Sequence, residues 1–258
     1  MEKKYWRSGD VFMNSQVIAS NSVAYVYDSL KEYVTNVFVI ETLSKVFVID
    51  TFCGSKFMEP IQSRINTHLN DKEVIVINTH FHWDHVWGNI SFKGYDIISH
   101  ELCRKVLEEQ WEKQMESNHQ YIEGSVEKCL PNVTFKDKLI FHEEGIELFY
   151  SPGHTADSIS IFDHNERILY VGDNLEKPII YVEHDDVATY IHTLKHYLTY
   201  QPKKIVAGHT LDLQEEDIHK TIDYLQGLSH GRQFSFQSEY ERKIHDQNLK
   251  TLNMLEQK

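Results

Sequence analysis

VIVINTHFHWDHVWGN, residues 74–89, decides how the rest of the chain is read. Val74 to Ile77 are apolar without alternation, as expected of a strand covered on both faces. Directly behind them stand His80, His82, Asp84 and His85, four potential metal ligands in six positions. Loops at the carboxyl ends of buried strands are where α/β proteins build their sites. His80 and His82, two apart in an extended loop, project to the same side and can share one metal ion. Asp84 and His85 lie a turn further on and can face a second ion. Three imidazoles and a carboxylate suit zinc, iron or manganese. The plainer alternative is a group of solvated loop residues, and the density of ligands weighs against it.

Four ligands cannot complete two metal sites, so others should stand at further strand ends. SPGHTADS places His154 after a strand at 146–150, YVGDNL places Asp173 after one at 167–171, and IVAGHT places His209 after one at 204–207. Each follows a short apolar run and has glycine beside it, which lets backbone approach a crowded centre. A lone histidine at a strand end is more often structural. Four strand ends delivering ligands together is a different observation, in a chain with 16 histidines among 258 residues.

Further strands are predicted at 23–27, 34–40, 46–49, 96–99, 139–141 and 158–162, where β-branched and aromatic residues cluster. Amphipathic helices are predicted at 58–69 and 187–198, with C-terminal stripes at Ile218, Ile222 and Leu225, then at Tyr240, Ile244, Leu252 and Leu255. Residues 101–130 are polar, with Leu107, Trp111 and Met115 four apart. They read as a surface helix packing one stripe, or as a lid over a pocket. Alternating strands and helices without a Pro/Gly/Ser-rich linker indicate one α/β domain over residues 1–258.

Composition narrows the function classes. With 26 basic and 39 acidic residues the formal net charge is −13. That disfavours nucleic acid and anionic membrane surfaces, both of which need a basic face. Three cysteines without CxxC spacing argue against a disulfide framework and for a reducing compartment. The N-terminus shows no apolar signal region and no run reaches membrane-spanning length, so a cytoplasmic protein is expected.

The set HxHxDH (80–85), GHT (153–155), GD (172–173) and GH (208–209), with VFVIDTFCG at 46–54, resembles the metallo-β-lactamase superfamily of binuclear metallohydrolases. The likeness covers roughly residues 20–212, leaving C-terminal helices at 213–258. It implies an αββα four-layer sandwich, two mixed β-sheets face to face with helices outside and metals at one edge. It further implies that His80, His82 and His154 hold a first ion, Asp84, His85 and His209 a second, and that Asp173 bridges them. Two divalent metal ions, most simply zinc, would then supply a bridging hydroxide that attacks a small ester, thioester or lactone, with Asp84 orienting it.

Departures bear on the substrate. Class B β-lactamases usually have cysteine or serine at the place of Asp173. Flavodiiron proteins resemble HxExDH, whereas position 82 is histidine. The nuclease branch carries large insertions, and none is evident between Asp173 and His209. Glyoxalase II has a longer basic C-terminal domain, and here 49 residues follow His209. Lactone-cleaving relatives often place tyrosine just after the bridging aspartate, where this chain has Glu176 nearby and Tyr181 further on. An iron-dependent, persulfide-dioxygenase-like oxidoreductase and a non-catalytic ligand-binding or sensor protein remain alternatives.

Asp50 is a candidate for fixing the tautomer of a ligand imidazole, or for capping a turn. Tyr181 reads as a packing tyrosine, with donation to an oxyanion as the alternative. Cys53 reads as a packed thiol. His192 and His196 lack the glutamate of HExxH and read as solvated, and the other histidines have no partner motif. A small-molecule substrate is the expected partner, and the C-terminal stripes suit either covering the sandwich or pairing two chains as a homodimer.

Overall fold

Side chains alternating between two buried faces build a pair of stacked sheets. A computed structural model gives the structure, which describes residues 4–8, 11–30 and 33–253. The first sheet runs in chain order through β1 (Lys4–Ser8), β2 (Val11–Ala19), β3 (Ser22–Tyr27), β4 (Thr35–Glu41), β5 (Lys45–Ile49), β6 (Glu73–Ile77), β7 (Asp96–His100) and β8 (Val133–Phe135). It is antiparallel as far as β5 and parallel from β5 to β8. The second comprises β9 (Lys138–Phe141), β10 (Ile146–Tyr150), β11 (Ile159–Asp163), β12 (Ile168–Tyr170) and β13 (Lys204–Val206), in the order β13-β12-β11-β10-β9. Its β12–β13 pair is parallel and the rest antiparallel.

The apolar run at 74–77 shows why both faces are covered. Ile75 and Ile77, with Phe47 and Ile49 of β5, enter the inter-sheet core against Leu148, Ile161 and Tyr170. Val74 and Val76, with Val46 and Val48, face outward and meet α1 (Ser55–His68) through Phe57, Met58, Ile61 and Ile65. Each such buried side chain contributes about 1.5–3 kcal/mol. On the far side, Leu169 and Ile205 meet α4 (Val187–Thr199) and α5 (Glu215–Ser229) through Tyr190, Leu194, Ile218 and Leu225. The result is the four-layer αββα sandwich the sequence implied. The short α2 (Trp83–Val86), α3 (Glu101–Asn118) and α6 (Glu239–Asn253) complete the helices.

The structure also corrects the sequence reading. It adds β1, β2 and β8, for which periodicity gave no signal. The segment 101–130 is helical only to Asn118, followed by a 3-10 turn at His119–Tyr121. Residues 123–125 then leave the helical path because their carbonyls bond the open N-terminus of α1, Lys56 N–H to Glu123 O at 3.2 Å and Ser55 N–H to Ser125 O at 3.0 Å. Leu107 and Trp111 are buried against Val86 and Trp87, with Met115 beside them, so the stripe packs as expected. Ile244 is buried, Leu252 packs on the α4–α5 layer, and Leu255 lies outside the described residues. The described cysteines are free thiols, Cys53 fully buried. No described helix is long and apolar enough to cross a membrane.

Candidate metal centre

Topology brings the seven residues to one edge. β5 and β6 are parallel, so Asp50 and the 80–85 loop leave the first sheet on the same side. β10 and β12 are each antiparallel to β11, and β13 is parallel to β12, so His154, Asp173 and His209 leave the second sheet together.

Two groups of donor atoms result. His80, His82, His154 and Asp173 form one, Asp84, His85 and His209 the other, each with its donor atoms within 4.8 Å of one another. In the first, His82 Nδ1 lies 3.0 Å from His80 Nε2 and 3.2 Å from His154 Nε2. Asp173 Oδ2 is 3.6 Å from His80 Nε2 and 3.9 Å from His154 Nε2. In the second, Asp84 Oδ2 is 3.7 Å from both His85 Nε2 and His209 Nε2. Asp173 Oδ2 faces this group as well, 3.3 Å from His85 Nε2 and 3.0 Å from His209 Nε2. Four donors around a tetrahedral zinc lie roughly 3.3–3.5 Å apart, which these spacings straddle.

Each imidazole turns one ring nitrogen to the cluster and gives the other a partner outside it. The carboxylate of Asp50 accepts His85 Nδ1–H at 2.8 Å, which turns Nε2 toward the cluster. Carbonyls accept the Nδ1–H of His154 (Tyr181 O, 2.9 Å) and His209 (Val34 O, 2.7 Å). Thr79 Oγ1 donates to Asp50, so it accepts from His80 Nδ1 at 3.0 Å. His82 is turned round: its Nε2 meets Glu183 Oε2 at 3.1 Å and its Nδ1 faces the cluster. Asp50 also accepts the Thr79 N–H at 2.8 Å, so it serves both readings made of it, fixing a tautomer and bracing a turn.

Unpaired atoms support a bound cation. His85 Nε2 and Asp173 Oδ1 are buried without a hydrogen-bond partner. An unsatisfied buried polar group costs about 1–3 kcal/mol, which a metal ion would remove. Gly208 keeps the cradle open, since a Cβ there would stand 2.3 Å from Asp173 Oδ1 and 2.7 Å from His85 Cε1. Burial opposes every charge among these side chains. The imidazoles of His209, His85 and His80 nevertheless hold Asp173 well below the ordinary carboxylate range. Asp173 and Glu176 overcome the burial of His209 and raise it to about 10. Burial pushes Glu176 up to about 8.

Above the donors opens a cavity of about 460 Å³. Trp83 and Tyr121 stack in one wall, centroids 5.0 Å apart. Gln110, Lys113 and Gln114 of α3 line it, so the flank of that helix beside its packing stripe looks into the pocket. Tyr33 stands edge-on to His209 at 4.6 Å and lines the cavity with Asp84. Burial, with Asp84 beside it, pushes the Tyr33 hydroxyl's pKa up. Tyr181 lines the cavity and also lends its carbonyl to His154, a role its residue type does not advertise. Glu176 lines it too. The helical pair His192 and His196 is exposed and away from the donors, as expected. Tyr33, Glu183 and Lys113 went unmarked in the sequence because no periodicity or motif distinguishes them.

The metallo-beta-lactamase superfamily profile matches residues 30–209. Hydroxyacylglutathione hydrolase of Pelagibacter ubique (strain HTCC1062) is 28% identical over 116 residues, 42% of this chain and 40% of that protein. The beta-lactamase-like protein 2 homolog of Caenorhabditis elegans is 25% identical over 196 residues, 74% of this chain and 61% of its own. The chain thus spans about two-fifths to three-fifths of the length of these curated relatives. The crystal structure of DIM-1 metallo-beta-lactamase superposes with a TM-score of 0.68 at 16% identity, covering 83% of this chain and 97% of that one. The metallo-beta-lactamase from Pontibacter korlensis gives 0.59 at 19% identity, over 87% and 99% of the two chains. At such identities the structural likeness is one of fold. The profile, by contrast, runs through every strand end that carries a donor, and it establishes that the chain belongs to the metallo-beta-lactamase superfamily.

Proposed function

We propose that the chain is a binuclear metal-dependent hydrolase, with zinc as its metal, acting on a small ester, thioester or lactone. The observation that supports this most is the convergence of donors from four strand ends, with five imidazoles each turning one ring nitrogen inward and the other to an outer partner. His80, His82 and His154 would hold one ion and Asp84, His85 and His209 the other, with Asp173 Oδ2 shared. Two divalent ions bound there would supply hydroxide from water near neutral pH and polarise a carbonyl.

The chain's own groups do the rest. Asp84, facing the second group, is placed to orient the attacking water and take its proton. Tyr33 lines the same cavity and adds a hydroxyl near Asp84. The stacked Trp83 and Tyr121 offer an apolar seat, and the cavity lies within the size range of small-molecule sites. The relative named for hydrolysis of hydroxyacylglutathione supports an acyl substrate.

Protein purified without chelator should carry two zinc ions per chain and turn over esters, thioesters or lactones, with activity lost to chelator and restored by zinc. Asp84→Ala should lower turnover about 10²–10⁴-fold without unfolding the chain. A single iron with oxygen uptake on thiol substrates would replace this reading with the oxidoreductase one. Full metal occupancy without turnover of any of these classes would indicate a ligand-binding protein.

A further inference from the structure

The C-terminal helix α6 reaches the metal-binding edge through one buried amide. Asn248 is fully buried on the face of α6 that carries Ile244 and Leu252. Its Oδ1 accepts the Val182 N–H at 2.8 Å, and its Nδ2 donates to the Ile180 carbonyl at 2.8 Å and the Tyr224 hydroxyl at 3.0 Å. The amide cannot be turned over, because its NH2 would then face the Val182 N–H, donor against donor.

Residues 180–183 belong to no helix or strand, so Asn248 supplies to this strap the paired donor and acceptor that a sheet neighbour would otherwise provide. From the strap, the Tyr181 carbonyl accepts His154 Nδ1–H at 2.9 Å, and the Glu183 N–H donates to the His154 carbonyl at 3.1 Å. The Glu183 carboxylate lies 3.1 Å from His82 Nε2. That carboxylate is 41% exposed, so the buried Tyr181–His154 bond is the firmer of the two links. His80, His85 and His209 are oriented from elsewhere, by Thr79, Asp50 and Val34.

We propose that Asn248 is a positioning residue for the His80, His82 and His154 group: by clamping the strap, it fixes the Tyr181 carbonyl and Glu183 carboxylate that keep His154 and His82 turned inward. The proposal rests on the metal-binding reading of those histidines. It makes a helix beyond the family-matched span, residues 30–209, a working part of the centre.

The test compares Asn248→Ala with Ile244→Ala, a buried α6 substitution that leaves the strap's bonds intact. Histidine-¹⁵N NMR of the metal-free protein reads the imidazole Nδ1–H signals, and competition with a chromophoric chelator reads zinc affinity. Asn248→Ala should lose the exchange-protected His154 Nδ1–H signal, keep that of His85, and weaken one of two zinc equivalents at least about tenfold. Ile244→Ala should keep both signals and both affinities, whatever its melting temperature. If Asn248→Ala does not fold, Asn248→Asp, which retains the acceptor for Val182 and loses both donations, should give the same selective loss. An unchanged His154 signal in the Asn248 variant, or equal losses in the Ile244 control, overturns the proposal. Should the wild type bind no metal, the hydrolase reading fails, while the imidazole signals still decide the role of Asn248.

Discussion

Gly208→Ala is a one-methyl test of the metal-centre geometry. Gly208 has no positive φ, so its backbone conformation accepts alanine, and any effect must come from what the methyl meets. That methyl would lie 2.3 Å from Asp173 Oδ1 and 2.7 Å from His85 Cε1. The backbone has little room to yield: Gly208 N–H bonds Gly172 O at 2.8 Å, and its carbonyl accepts Asn36 N–H at 2.7 Å. Opening the carboxylate contact even to 3.0 Å, still tighter than ordinary van der Waals contact, displaces Asp173 by about 0.7 Å. The stability cost of such overpacking is about 1–3 kcal/mol. The functional cost is larger, because a misplacement near 1 Å at a reacting centre can lower rate about 10²-fold. Asp173 Oδ2 faces both donor groups, so both zinc affinities should fall together. Chelator competition reads the affinities, thermal melting the stability and acyl hydrolysis the rate. Wild-type affinity for both equivalents in Gly208→Ala would refute the shared role of Asp173.

Two further outcomes follow from the same site. Tyr33→Phe removes the hydroxyl near Asp84 and should lower kcat about tenfold with KM little changed; a purely KM effect would make Tyr33 a substrate contact instead. In the metal-free protein, His209 raised to about 10 and Glu176 raised to about 8 both bind protons more tightly folded than unfolded. An unfolded histidine is already neutral above about pH 7, so melting temperature in chelator should fall from about pH 7 to pH 10. Zinc, which competes with those protons, should restore more stability at the upper end; a melting temperature that rises with pH in chelator would contradict the assignment.

The donors were readable because they follow short apolar strands, four of them packed into six positions and the other three each beside a glycine, a local pattern that survives without tertiary information. Asp50 was readable for the same reason, following the run Val46–Ile49. What escaped depends on distant partners. Glu183 matters because His82 lies across the edge from it, and nothing in VEHDD announces that. Asn248 resembles a polar interruption in an apolar stripe until the strap it clamps is placed beneath it. β1 and β2 escaped because they are set by pairing in sequence, β1 on β2 and β2 on β3, and not by an apolar run of their own. The end of α3 at Asn118 was hidden because residues 123–125 bond α1, a competition that helical periodicity does not encode.

The division of donors between the two sheets has a consequence for how the protein comes into being. Asp84 and His85 leave one half of the sandwich and His209 the other, while Asp173 from the later half touches both groups. A chain still emerging from the ribosome therefore offers an ion only fragments until its last contributing strand has been made and stacked. Under the binuclear reading, capture of an ion would then be a late step, possible only after the second sheet has stacked on the first.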